Sequence, residues 1–130
     1  MERRGLAISL ARGRIAIGVV SLLAPGFVAR TMTGRAVSEG ETRLFARMVG
    51  AGDLGLGLGV LVALDRGAPV RGWLEASAAV DGIDAAACLL ARHQVRTGVL
   101  PGAVGLATAG ALLSAWLAGQ LDPAQSAPKP

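Results

Sequence analysis

The chain has 130 residues, 52% of them hydrophobic, with 17% charged, 3% aromatic and no tyrosine. Its mean hydropathy is +0.53; this excludes a disordered chain and is too apolar for an ordinary soluble domain of a length that fits one domain. The net charge of +4 rests on arginines scattered at segment ends, a pattern of membrane flanking and not the single basic face that nucleic acid requires.

The first apolar segment runs from about Leu6 to Ala29. Its N-terminal Met1-Glu2-Arg3-Arg4 resembles the basic start of a leader, but Arg12 and Arg14 interrupt the run that follows and no A-x-A site closes it. A retained first membrane helix is expected. The uncharged part, Ile15 to Ala29, rises only about 22 Å as a helix, short of the roughly 30 Å hydrocarbon core. A spanning helix must therefore begin before Arg12, and Pro25-Gly26 bends or ends it.

A polar loop follows from Arg30 to Arg43, with Ser38, Glu39 and Glu41. The second segment is Leu44 to Leu64, carrying Arg47 and Asp53; Asp65-Arg66-Gly67-Ala68-Pro69 then breaks it. The third is Gly72 to Ala91, carrying Glu75, Asp81 and Asp84. After the short link Arg92 to Arg96 comes the fourth, Thr97 to Leu121, without a single charge. Residues 122–130 read as a disordered tail. The expected fold is all-α: four transmembrane helices (about 6–29, 44–64, 72–91 and 97–121) in an antiparallel, up-down-up-down bundle.

Small residues recur every four positions in the later helices: Ala51, Gly55 and Gly59; Ala78, Gly82 and Ala86; Gly110, Ser114 and Ala118. In lipid, association depends on close van der Waals approach, so these positions, Gly55, Gly59, Gly82 and Gly110 among them, are expected at helix contacts. The glycines also produce a G-x-G-x-x-G match at Gly50, Gly52 and Gly55. A phosphate-binding loop needs a preceding strand and a βαβ setting, and the pattern offers neither.

The informative residues are the intramembrane charges Arg14, Arg47, Asp53, Asp81 and Asp84. Each costs about 2.5–3.5 kcal/mol at a helix centre, so such groups face the interior and pair. Arg14, Gly18, Ser21 and Pro25 fall on one helical stripe, and Ser77, Asp81, Asp84 and Cys88 on another. Arg47 and Asp53 lie about 120° apart, Arg12 about 160° from Arg14, and Glu75 about 180° from Asp84. The expected core collects two arginines and three aspartates, leaving one carboxylate over. It has two readings: a structural polar core that fixes helix register, or a ligand or proton site.

The remaining candidates carry less. His93 stands alone in a link, without the partners of a metal site or triad. Cys88, the single cysteine, reads as a buried small hydrophobe. No metal or cofactor motif is present. Ser21, Ser77 and Ser114 read as bonding groups within the bundle. Trp73 and Trp116 read as interfacial anchors.

With these residues placed, the chain resembles small bacterial four-helix membrane proteins of the DoxX-like kind. The resembling pieces are Gly13-Arg14-Ile15-Ala16-Ile17-Gly18 with Ala24-Pro25-Gly26, the run Arg47 to Gly57, and Trp73 with Asp81-Gly82-Ile83-Asp84. In that family an arginine often precedes the acid of the second helix, where this chain has Gly52. The resemblance implies an integral membrane protein with a polar core and supplies no activity.

The expected function is thus a small multi-pass protein of the cytoplasmic membrane, structural or accessory, with its Arg/Asp core as a register device. The alternative is a membrane enzyme or carrier for a small lipophilic molecule, using the intramembrane carboxylates. The partners expected are the bilayer, a further copy or another membrane protein, and a lipophilic ligand. Flanking cations divide five against five, Arg3, Arg4, Arg66, Arg71 and Lys129 against Arg30, Arg35, Arg43, Arg92 and Arg96, and Arg12 tips the count toward an N-terminus inside.

Overall fold

A computed structural model describes residues 2–33, 40–93, 98 and 100–121. Residues 1, 34–39, 94–97, 99 and 122–130 lie outside it, and with them Arg35, Ser38, Glu39, Arg96 and the expected tail. Among the described residues every regular element is an α-helix: α1 Glu2–Leu23, α2 Pro25–Thr33, α3 Gly40–Asp65, α4 Arg71–Leu90 and α5 Leu100–Gln120.

There are five helices where four segments were expected, because the first divides at Ala24. Pro25 has no N–H, so the ladder of α1 closes with Ala24 N–H on the Val20 carbonyl at 2.7 Å. The Ala24 carbonyl then accepts from Phe27 and Val28, at 3.0 and 3.2 Å, and opens α2. Pro25 thus stands at the first helical position, where its missing donor costs nothing. α1 in turn begins at Glu2, ahead of the expected Leu6, and passes through both Arg12 and Arg14.

α3 ends where its sequence breaker predicts. Gly67 adopts φ +62°, a left-handed conformation that glycine enters freely. Ala68 N–H then reaches back to the Ala63 carbonyl at 2.9 Å, the six-residue closure of a glycine-terminated helix.

α1, α3 and α5 are long and apolar enough to cross a membrane. At 22, 26 and 21 residues they rise about 33, 39 and 32 Å. α4 has 20 residues, about 30 Å, but Glu75, Asp81 and Asp84 concentrate three acids within it and keep it below that composition.

α1 lies along α3, and α4 along α5, as two close pairs. In the first, Gly57 meets Ala11 and Gly18 meets Gly50, so the two helices run antiparallel. The pairs join at one end through an apolar core of Ala7, Ala11, Val60, Leu64, Leu74 and Leu117 with their neighbours. Toward the other end α4 buries nothing beyond Ser77, and α5 nothing before Ser114. The outer surface is apolar, with Leu23 81%, Leu90 80% and Leu112 68% exposed. Outside that core of Val60, Leu64, Leu74 and Leu117, large apolar side chains face outward, while Arg14, Ser21, Ser77 and Ser114 are buried, unlike a water-soluble bundle.

The close α1–α3 approach follows a seven-residue repeat. α1 buries Ala7, Ala11, Arg14, Gly18 and Ser21, at alternating steps of four and three. Opposite them on α3 stand Gly50 and Gly57. Residues seven apart drift about 20° around a helix, whereas steps of four drift about 40° each, so a seven-residue row stays on the contact while a four-residue row walks off it. The expected four-residue seam is therefore corrected in part. A Cβ on Gly55 or Gly82 would meet no atom within 4 Å, so neither is a close contact within this chain, while Gly59 packs under the Trp73 ring and Gly110 against Asp81.

Candidate functional site

Arg14 is at the centre. It is the 13th residue of α1, on the row of small buried residues, and only 6% exposed. The absence of side chains at Gly18, Gly50 and Gly57 brings the α3 backbone close enough for a cross-helix reach: a Cβ on Gly18 would stand 2.6 Å from the Gly50 carbonyl oxygen, and one on Gly57 2.6 Å from that of Ala11. Arg14 Nη1 donates to Asp53 Oδ1 on α3 at 2.5 Å, while Nη2 donates to Asp81 Oδ2 on α4 and to the Ser77 carbonyl at 3.3 Å. One guanidinium therefore ties three helices together, and its planar fork is suited to two carboxylates at once.

α5 contributes a space instead of a charge. A Cβ at Gly110 would stand 2.5 Å from Asp81 Oδ2, so only glycine leaves room for that carboxylate between α4 and α5. Ser77 and Ser114 are buried on the same two helices, and their hydroxyls, with Arg14 Nε, have no hydrogen-bond partner among the described residues.

Two predicted members lie apart from this network. Arg47 meets neither Asp53 nor Asp81. Its side chain is exposed, and Nε donates to the Leu22 carbonyl at the end of α1, at 3.2 Å. The reason is the 120° between it and Asp53: when Asp53 faces Arg14, Arg47 cannot. Asp84 is exposed and, among the described residues, has no hydrogen bond or ion pair. It sits at the edge of the α4 face whose middle is Leu74, Ser77 and Asp81, turned toward α3. The centre thus holds one guanidinium bonded to two carboxylates, with a third carboxylate beside them.

Asp84 and Asp53 instead share a groove of about 470 Å³ between α3 and α4, walled by Met48, Leu56, Trp73 and Val80. The glycines of the G-x-G-x-x-G match, Gly50, Gly52 and Gly55, lie within α3, so their N–H groups belong to the helical ladder. His93 is exposed just after α4, and Cys88 is half-buried.

Sequence reasoning missed the arginines at helix ends. Arg4 Nη2 donates to the Leu64 carbonyl of α3 at 2.9 Å, and Arg92 Nη1 to the Leu89 carbonyl of α4 at 3.3 Å. With Arg47 on Leu22, three helix C-termini each receive a cation, where the dipole and the unpaired carbonyls favour one. No local signal marks Arg4 on Leu64, 60 residues apart, or Arg47 on Leu22, 25 apart, whereas Arg92, three residues past Leu89, is a basic helix end that spacing alone could have shown. The Gly50 and Gly57 contacts were detectable in principle, as small residues seven apart.

No family model, curated protein or solved structure matches the chain.

Proposed function

We propose that the chain is a multi-pass integral membrane protein of the cytoplasmic membrane, with α1, α3, α4 and α5 crossing as an antiparallel four-helix bundle. The observation that carries this reading is the position of Arg14. A guanidinium 6% exposed, bonded to carboxylates from two other helices inside a molecule with leucine outside, makes sense when lipid is the solvent. The same network supports α4 as a fourth span. Arg14 neutralises Asp81, and Glu75 pairs with Arg71 at 2.6 Å one turn from the helix start. Of the three acids of α4, Asp84 alone has no cation among the described residues.

In this reading the network is a register device. Helices in lipid gain little from burying apolar surface against one another, so specific polar contacts and small-residue approach decide their alignment. The protein then acts as a structural or accessory component beside a further copy of itself or another membrane protein. An even number of spans puts both termini on one side, and with Arg12 inside α1 the flanking cations divide evenly between the two sides.

Alkaline carbonate extraction tests the proposal. The protein is expected to stay with the membrane pellet, and release into the supernatant would sink the reading. A reporter fused at Pro130 then assigns the side. The second reading, a carrier or membrane enzyme for a lipophilic molecule, is favoured by one observation: Asp84 stands outside the ion network, in the groove between α3 and α4.

A further inference from the structure

We propose that the groove between α3 and α4 binds a small lipophilic cation, with Asp84 as its counter-ion and Val80 and Met48 as apolar walls. The inference deepens the carrier reading and rests on the helices lying in a bilayer.

Three features converge. The volume, about 470 Å³, suits a drug-sized molecule, for which pockets run about 300–1,000 Å³. The walls are apolar, with Val80 one helical turn from Asp84 and Met48 and Leu56 on α3, while Trp73 closes the far end of the groove, eleven residues or about 16 Å along α4 from Asp84. The Met48 thioether is adaptable and fits its shape to an apolar body. Charge decides the sign of the occupant. Arg14 is committed to Asp53 and Asp81, and among the described residues no cation reaches Asp84. Arg12, the other mid-span arginine, lines a separate groove with Arg4 and Asp65 on the far side of α1 and α3. A neutral lipid tail or an anion would leave Asp84 to be neutralised by a proton, at about 4 kcal/mol for a carboxyl of ordinary acidity at pH 7. A cation with an apolar body satisfies both the walls and the charge.

The glycines on the α3 wall support the same conclusion. Gly52 and Gly55 line the groove, and a Cβ on either would meet no atom within 4 Å. They are not needed for packing within the chain, yet helix propensity disfavours them. Their lack of side chains keeps the groove wide.

The test uses the full chain in lipid nanodiscs, titrated with tetraphenylphosphonium by calorimetry, with protein-free nanodiscs subtracted and triphenylphosphine oxide as neutral comparison. Saturable phosphonium binding is expected, at least tenfold tighter than the oxide. Asp84→Asn should weaken it at least tenfold, and Gly55→Leu should abolish it by filling the groove. Glu75→Gln, outside the groove, should leave it unchanged. A Cβ at Gly55 meets no atom within 4 Å; an SDS unfolding midpoint of Gly55→Leu equal to the parent's, the expected result, separates loss of the site from loss of the protein. Three results overturn the proposal: the oxide binding as well as the cation, Asp84→Asn and Gly55→Leu both within twofold of the parent, or a stable oligomer in which cysteines at positions 51 and 55 (in a Cys88→Ser background) resist maleimide because a second copy fills the groove. Failure of binding in a protein that survives carbonate extraction removes the cation site and leaves the membrane reading standing.

Discussion

Removal of the Arg14 charge is the most direct test of the network. Arg14→Gln retains a hydrogen-bonding side chain of shorter reach but takes the cation from between Asp53 and Asp81, which contact it from two helices. Truncating one partner of a buried ion pair costs about 3–5 kcal/mol, because the other charge is left uncompensated. A second route gives the same size. Neutralising a carboxyl of ordinary acidity with a proton from water at pH 7 costs about 4 kcal/mol. The substitution should therefore remove about 3–5 kcal/mol of stability, measured as the shift in an SDS unfolding titration of the purified protein. The triple variant Arg14→Gln/Asp53→Asn/Asp81→Asn removes the stranded charges as well and should recover all but about 2 kcal/mol, since groups sharing one network couple strongly. If Arg14→Gln unfolds within about 1 kcal/mol of the parent, or the triple variant is no better than the single one, the register argument is wrong.

Other substitutions separate the elements of the fold. Gly57→Ala places a Cβ 2.6 Å from the Ala11 carbonyl oxygen and 2.8 Å from Ile15 Cγ1; forcing α1 and α3 apart should cost about 1–3 kcal/mol, whereas Gly55→Ala, with no atom within 4 Å, should be neutral or gain up to about 1 kcal/mol in the same titration. Gly110→Ala pushes on the Asp81 carboxylate and should destabilise the parent but not an Asp81→Ala background, a difference a double-mutant cycle reads directly. Arg47→Ala removes one exposed bond at a helix end and should cost no more than about 1 kcal/mol, in contrast to Arg14. Leu74 is fully buried, yet Leu74→Ala should cost less than the roughly 2–5 kcal/mol of a water-soluble core, because lipid removes the transfer contribution and leaves the cavity; a loss at the top of that range would argue for water as the solvent.

The number and type of long helices were legible in the sequence because both depend on local quantities. Hydropathy over about 20 residues marks a potential span, and Asp65 to Pro69 must break a helix. The Arg14, Gly18, Ser21, Pro25 stripe was legible for the same reason, since helical angle is a property of spacing alone. The interruption at Ala24 was half legible: Pro25 announced a bend or an end, and the hydrogen bonds decided that α2 starts anew.

What spacing could not supply was the azimuth of each helix relative to the others. Arg47 and Asp53 were both reasonable partners for Arg14 or its carboxylates until packing chose which face of α3 meets α1. That choice is made by Gly50 and Gly57 with Ala11 and Gly18, and it turns Asp53 in and Arg47 out to the Leu22 carbonyl. Likewise Asp81 and Asp84 differ by a single helical turn, yet one lies under Gly110 and the other opens onto a groove. The sequence by itself determined which residues would be expensive in a membrane and therefore had to be explained. Only the tertiary structure decided which were neutralised, because ion pairing falls off over a few ångströms and those distances are set between helices, not along them.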